Sequence, residues 1–223
     1  GALTFKSVVA VFSIIAVISI MAGNLLALMQ DNLKRILAYS SIAHMGYLLI
    51  AVIASFFAVG TVSIEAVTFY LLAYVIMTLG AFGVLTIFSS SQNELDRITD
   101  YQGLFWRSPW LAAVFTGMLL SLAGIPLTVG FIGKFYVFLA GVETELWILL
   151  SVLIVGSGIG LYYYLRIVYR MLMPVSGDNI LVDTRMENLS TLGVLAILFV
   201  LLLALGIYPA PIMAIIEAIS VHI

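Results

Sequence analysis

Residues 121–138 read SLAGIPLTVGFIGKFYVF, and this stretch decides the fold. It lies inside a long apolar segment, 109–141, and holds Gly124, Pro126, Gly130, Gly133 and then one charge, Lys134. As one straight helix the segment would be about 49 Å long, at about 1.5 Å per residue. A bilayer core is about 30 Å thick and needs about 20 residues. The segment is too long, and a helix breaker stands near its middle. The expected structure is a transmembrane helix broken near 124–130. Pro126 removes one backbone donor and clashes with the preceding turn. The flanking glycines let neighbouring helices and water approach the freed carbonyls. Lys134 stands one to two turns past the break.

The rest of the chain suits that reading. Of 223 residues, 64% are hydrophobic and 9% charged, a ratio that leaves a soluble domain too little polar surface. The expected class is an all-α polytopic membrane protein. Absence of Cys excludes disulfides and thiolate metal sites. The two histidines, His44 and His222, lie far apart in sequence and suggest no metal cluster. No basic patch suits nucleic acid. The chain opens Gly1-Ala2-Leu3, without Met and without a positively charged region before the first span. That is not a signal peptide, and the expectation is a chain whose beginning is missing.

Six spans are expected: 7–29, 33–57, 64–88, 109–141 (the broken one), 146–172 and 189–208. Polar loops fill 89–108 and 173–188. The tail, 209–223, reads as a short helix at the membrane interface. Two parts follow: residues 1–172 with five spans, and 173–223 with a loop, the last span and the tail. Lys34, Arg35, Arg97, Arg107, Arg166, Arg170 and Arg185 all fall on the polar-loop face, and Lys6 falls on the other. That bias makes the loop face cytoplasmic and puts both chain ends outside.

Polar residues inside the spans are the candidates for function. His44 lies about 15 Å along span two from its cytoplasmic end, near the midplane. Ser40, Ser41 and Tyr47 stand at helical spacings from it and share its face. A lone membrane histidine is either a proton relay or a neutral ring bonded to a neighbouring helix. Tyr70, Tyr74 and Thr78, at intervals of four, read as a packed stripe with satisfied hydroxyls. In span five, Gly156, Ser157, Gly158 and Gly160 form GSGIG. This lies in a long apolar helix rather than after a strand, so it is no nucleotide loop. Small residues for close helix contact explain it better. Tyr162, Tyr163 and Tyr164 are expected at the cytoplasmic interface. Lys134 could snorkel outward on its stem. The break beside it instead favours an ion site, since broken helices mark such sites in transporters.

Four strings now carry a resemblance: GNLLALMQDNLKRILAYSSIAHMGYLLIA, YLLAYVIMTLGAFGV, YQGLFWRSPWLAAVFTGMLLSLAGIPLTVGFIGKFYVF and GSGIGLYYYLR. They closely resemble the subunit N family of bacterial proton-pumping NADH–quinone oxidoreductase, respiratory complex I. That family is similar to the Mrp-type cation/proton antiporters. The resemblance covers essentially the whole chain. It implies a fourteen-span fold with two inverted five-helix repeats, of which this chain resembles the second plus the last span. It also implies that Lys134 is the buried proton carrier, His44 a proton relay, and Gly124, Pro126 and Gly130 the helix break.

The implied activity is that of a subunit of an NADH:quinone oxidoreductase in the bacterial inner membrane, with no redox site in this chain. No cofactor is expected here, and FMN, iron–sulfur clusters and quinone are expected in partner subunits. The implied partners are other membrane-arm subunits of complex I, the absent N-terminal half and the lipid bilayer. The alternative is a subunit of a Mrp-type cation/proton antiporter or of a membrane-bound hydrogenase. A third class is a structural scaffold with a snorkelling Lys134 and a merely satisfied His44. Lys134 is expected to line a hydrated pocket between spans two, four and five.

Overall fold

The computed structural model describes residues 2–57, 62–88, 95–174 and 189–220. Among these residues the chain is helical, without a named strand. In order the helices are α1 (Ala2–Leu28), α2 (Leu33–Ser55), α3 (Val62–Phe88), α4 (Leu104–Arg107), α5 (Pro109–Ala123), α6 (Val129–Glu143), α7 (Trp147–Leu172), α8 (Leu189–Ile207) and α9 (Ala210–Ser220). A 3₁₀ turn, Ile98–Tyr101, precedes α4. Helices α1, α2, α3, α7 and α8 are each long and apolar enough to cross a membrane. The fifteen-residue helices α5 and α6 together take the place of a sixth crossing. The protein is a multi-pass, membrane-embedded helical bundle.

The last part of the polar loop 89–108 is ordered where the sequence reading saw only a loop. Its tie is backbone pairing with the α1–α2 link. Leu33 N donates to Asp96 O (2.6 Å) and Ile98 N to Asp31 O (3.0 Å). Asn32 caps α2, accepting from Arg35 N at 3.0 Å, and its amide also donates to the Asp96 carboxylate. Arg166 of α7 donates to Gln30 O and lies 3.8 Å from Asp31. Gln102 and Trp106 donate to Pro174 O and Leu172 O. One end of the bundle thus gathers the links and the basic residues Lys34, Arg35, Arg97, Arg107, Arg166 and Arg170. Arg185 and His222 lie outside the described residues.

The core is mostly aliphatic, with large aromatic rings set into it. Its largest fully buried side chains are Tyr47, Tyr70, Tyr163 and Tyr164. A buried tyrosine needs a partner for its hydroxyl, so these rings mark where polar groups meet inside the bundle. Tyr162 is exposed, as expected for the interface. Tyr163 and Tyr164, however, are each 1% exposed. Being adjacent on α7, they turn inward on successive positions while Tyr162 turns out. Helix α9 packs on the bundle through Met213 and Ile216.

Candidate proton site at a helix break

Gly124 ends α5, two residues before Pro126. It takes φ 86°, the left-handed conformation that glycine adopts without strain. Gly124 N then donates to Ser121 O (3.0 Å) and Ile125 N to Leu120 O (3.0 Å), the Schellman end of a helix. Pro126 follows in the non-helical segment, where it has no donor to continue the ladder. The proline therefore bars resumption, and the glycine makes the stop.

A helix leaves its last four carbonyls without intrahelical partners. Here all four are accounted for. Leu120 O and Ser121 O take the two N–H groups just named. Leu122 O and Ala123 O accept from Lys134 Nζ, at 3.0 Å each. Lys134 lies in α6 and reaches back across the break. A cation at the negative end of a helix is favoured by the helix dipole as well as by the hydrogen bonds. The acceptors that Lys134 Nζ finds here are backbone carbonyls of the break. The side chain is 8% exposed, which sets aside the snorkelling alternative.

The two half-helices fit closely. A Cβ on Gly130 would lie 1.9 Å from Ser121 O, and Gly130 N donates to Ser121 Oγ at 3.0 Å. Gly206 of α8 sits directly on the Leu127 and Thr128 backbone. Leu127, with φ 71°, is one of two non-glycine residues at positive φ among the described ones.

His44 is 2% exposed, and its Nδ1 lies 2.7 Å from Tyr70 Oη. The rings of Tyr47, Tyr70 and Tyr74 surround it at 5.6, 6.1 and 5.3 Å between centroids. The Tyr47 ring meets both the His44 ring and the Lys134 amine. Tyr70 and Tyr74 of the stripe thus pack on His44, and the Tyr70 hydroxyl is satisfied there. Thr78 Oγ1 is buried without a hydrogen-bond partner, unlike the satisfied hydroxyl expected of it. The Ser40 and Ser41 hydroxyls both donate to Leu37 O of their own helix.

Tyr47 joins the two halves of this cluster. Its ring centroid lies 5.2 Å from Lys134 Nζ, within cation–π range. Its hydroxyl accepts from Asn24 Nδ2 at 2.9 Å. Asn24 Oδ1 accepts from Tyr163 Oη at 3.1 Å. Gly156 of α7 packs beside both groups, the close contact expected of the GSGIG run. Tyr164 Oη is buried without a hydrogen-bond partner, and its ring lies 4.5 Å from that of Tyr163. Tyr163 and Tyr164, expected at the cytoplasmic interface, are buried in this cluster, and Asn24 is a member that the spacing arguments do not reach. A signal for Asn24 was there: no other Asn or Gln falls inside any span. The carboxylate buried in a first helical turn, Glu65, was likewise passed over. Among the described residues no three His, Cys, Asp or Glu side chains group as metal ligands.

Known proteins match this geometry and sequence. A subunit N of NADH-quinone oxidoreductase from Methylococcus capsulatus is 52% identical over 202 residues, which are 90% of this chain and 40% of that protein. A chain of respiratory complex I from Thermus thermophilus superposes with a TM-score of 0.79 at 32% identity, over 92% of this chain and 45% of that one. The Mrp complex from Dietzia sp. DQ12-45-1b has a chain with TM-score 0.81 at 21% identity, over 95% and 46%; at that identity the likeness is one of fold. The chain spans less than half the length of these relatives. Residues 4–160 match the model of the transmembrane family described as NADH:quinone oxidoreductase/Mrp antiporter, and the chain belongs to that family.

Proposed function

We propose that this chain is part of a proton-translocating membrane subunit of NADH–quinone oxidoreductase, and that Lys134 carries the proton. The observation that supports this most is the Lys134 amine on Leu122 O and Ala123 O at the helix break. An ammonium has three N–H donors and no acceptor. Two go to the carbonyls, and the Tyr47 ring face lies on a further side. The site holds a cation in the membrane on backbone carbonyls, so a charge that changes nearby during turnover can load or unload it. His44, on the Tyr70 hydroxyl, is the relay. Thr78 Oγ1, buried without a protein partner, suits a bound water, because buried polar groups are seldom left unpaired.

The redox chemistry belongs to other subunits, where FMN, iron–sulfur clusters and quinone are expected; this chain is proposed to hold none. Its partners would be the remaining part of the same subunit, neighbouring membrane-arm subunits and the lipid bilayer. The basic end of the bundle would face the cytoplasm of a bacterium, with both ends of this chain outside. A Cys at the exposed Trp106 should then react only with reagent supplied from the cytoplasmic side. A Mrp-type antiporter role has the same fold behind it. The 52% identity to a subunit N favours the oxidoreductase.

The test is protons moved per NADH oxidised by the complete complex in vesicles. Lys134→Met should lower that ratio while NADH oxidation persists. Full stoichiometry in Lys134→Met would refute the assignment. Sodium transport without NADH-driven pumping would point to the antiporter.

A further inference from the structure

We infer that Tyr47 is the positioning residue for Lys134: its ring, fixed from behind by Asn24, Tyr163 and Gly156, keeps the amine on the carbonyls of the break. The inference rests on the proposed role of Lys134 and adds what holds that side chain in place. Lysine has a flexible four-carbon stem. Two carbonyl contacts on one side do not by themselves confine its amine. The Tyr47 ring, 5.2 Å from Nζ, supplies a second wall of the right electrostatic sign. It comes from α2, whereas both carbonyls come from α5 and the lysine from α6.

The ring is itself held. Asn24 uses its full amide. Nδ2 donates to Ile20 O at 2.8 Å and to Tyr47 Oη at 2.9 Å. Oδ1 accepts from Tyr163 Oη at 3.1 Å. A backbone carbonyl can only accept, so Ile20 O fixes which end of the amide is the NH₂. Tyr47 Oη is therefore the acceptor, and its own proton points elsewhere. A Cβ on Gly156 would lie 2.4 Å from Ile20 Cγ2, 2.9 Å from Tyr47 Oη and 3.0 Å from Asn24 Nδ2. A side chain at this position would crowd all three groups. On its other side the Tyr47 ring meets His44 edge-on at 5.6 Å. Asn24, Tyr47 and Tyr163 are each 1% exposed. Three helices, α1, α2 and α7, thus brace one ring, and the ring faces the amine of a fourth.

The complete complex, carrying the full-length subunit, is reconstituted in vesicles with Lys134→Met, Tyr47→Leu, Tyr47→Phe, Asn24→Leu or Tyr47→Leu with Lys134→Met. Protons per NADH and quinone reduction are read together. Tyr47→Leu should lower the share of positioned amine by roughly 2- to 30-fold, the span of a cation–ring attraction expressed as an equilibrium constant, and so bring protons per NADH down toward the Lys134→Met value. Tyr47→Phe and Asn24→Leu each keep the ring but cut the same Asn24–Tyr47 hydrogen bond, so both should lower the ratio less than Tyr47→Leu does. In the Lys134→Met background Tyr47→Leu should change neither quantity further. Normal stoichiometry in Tyr47→Leu, with a deficient Lys134→Met, overturns the inference and leaves the Lys134 assignment standing. Normal stoichiometry in Lys134→Met sinks the assignment itself. An added loss in the double variant would show a structural role only and also overturns the inference. Should Tyr47→Leu fail to assemble, Asn24→Leu decides by the same comparison: a normal ratio there is the contrary result.

Discussion

The chain enters the membrane with two glycine-rich passages that end differently. In α7, Gly156, Gly158 and Gly160 stay inside one unbroken helix of 26 residues. In the α5–α6 passage, Gly124 stops one helix and a second begins at Val129. Glycine content does not separate them. What separates them is where the freed carbonyls can go. After Gly124 two are taken by N–H groups of the turn and two by Lys134. Nothing comparable stands beside the α7 glycines; Gly156 instead lets α1 and α2 come close, and Gly158 has no neighbour within 4 Å of a built Cβ. In hydrocarbon an unpaired backbone group costs several kcal/mol, so a helix breaks only where its open end is capped. The break and the lysine are one unit.

Glycine substitutions sharpen this contrast, and the effects should fall in order. Gly130→Val should abolish assembled subunit. Its Cβ would lie 1.9 Å from the Ser121 carbonyl oxygen, which is backbone and cannot move aside, and overpacking of that kind costs more than about 3 kcal/mol. Immunodetection of the subunit in purified complex checks it. Gly156→Ala should cost about 1–3 kcal/mol, because the nearest group, Ile20 Cγ2 at 2.4 Å, is the end of a side chain that can turn. Thermal inactivation of the complex would show it. Gly124→Ala places a side chain at φ 86°, at about 1–2 kcal/mol. Its Cβ would also press Lys134 Cδ at 3.0 Å. The ratio of protons to NADH should therefore fall more than stability does. Gly158 has nothing within 4 Å of a built Cβ. Gly158→Ala should leave pumping intact and raise stability by about 0.5–1 kcal/mol. A loss of stability there would mean an unseen neighbour on that face.

The break was legible because it is a local matter. An overlong apolar segment with Gly and Pro near its middle can be read from length alone. The spans were legible for the same reason, as runs of apolar residues matched to a bilayer. Which of Gly124 and Pro126 makes the stop is harder to read, since the conformation of Gly124 does not show in its identity. Partners across helices were harder. Asn24 and Tyr163 lie 139 positions apart, and no periodicity links α1 to α7. Tyr163 and Tyr164 were taken for interface residues because tyrosine suits either setting. Only the packing of α7 decides which of three adjacent rings turns inward. The ordered 3₁₀ turn and α4 depend on backbone pairing with the α1–α2 link, again a distant contact.

The most direct measurement is an experimental density map of the full-length subunit in its complex, at a resolution that shows carbonyl oxygens. The expected result is a stop at Gly124, a restart near Val129, and Lys134 Nζ within hydrogen-bonding distance of Leu122 O and Ala123 O. A continuous helix over 109–143, or a Lys134 side chain turned outward to the lipid headgroups, would contradict the account.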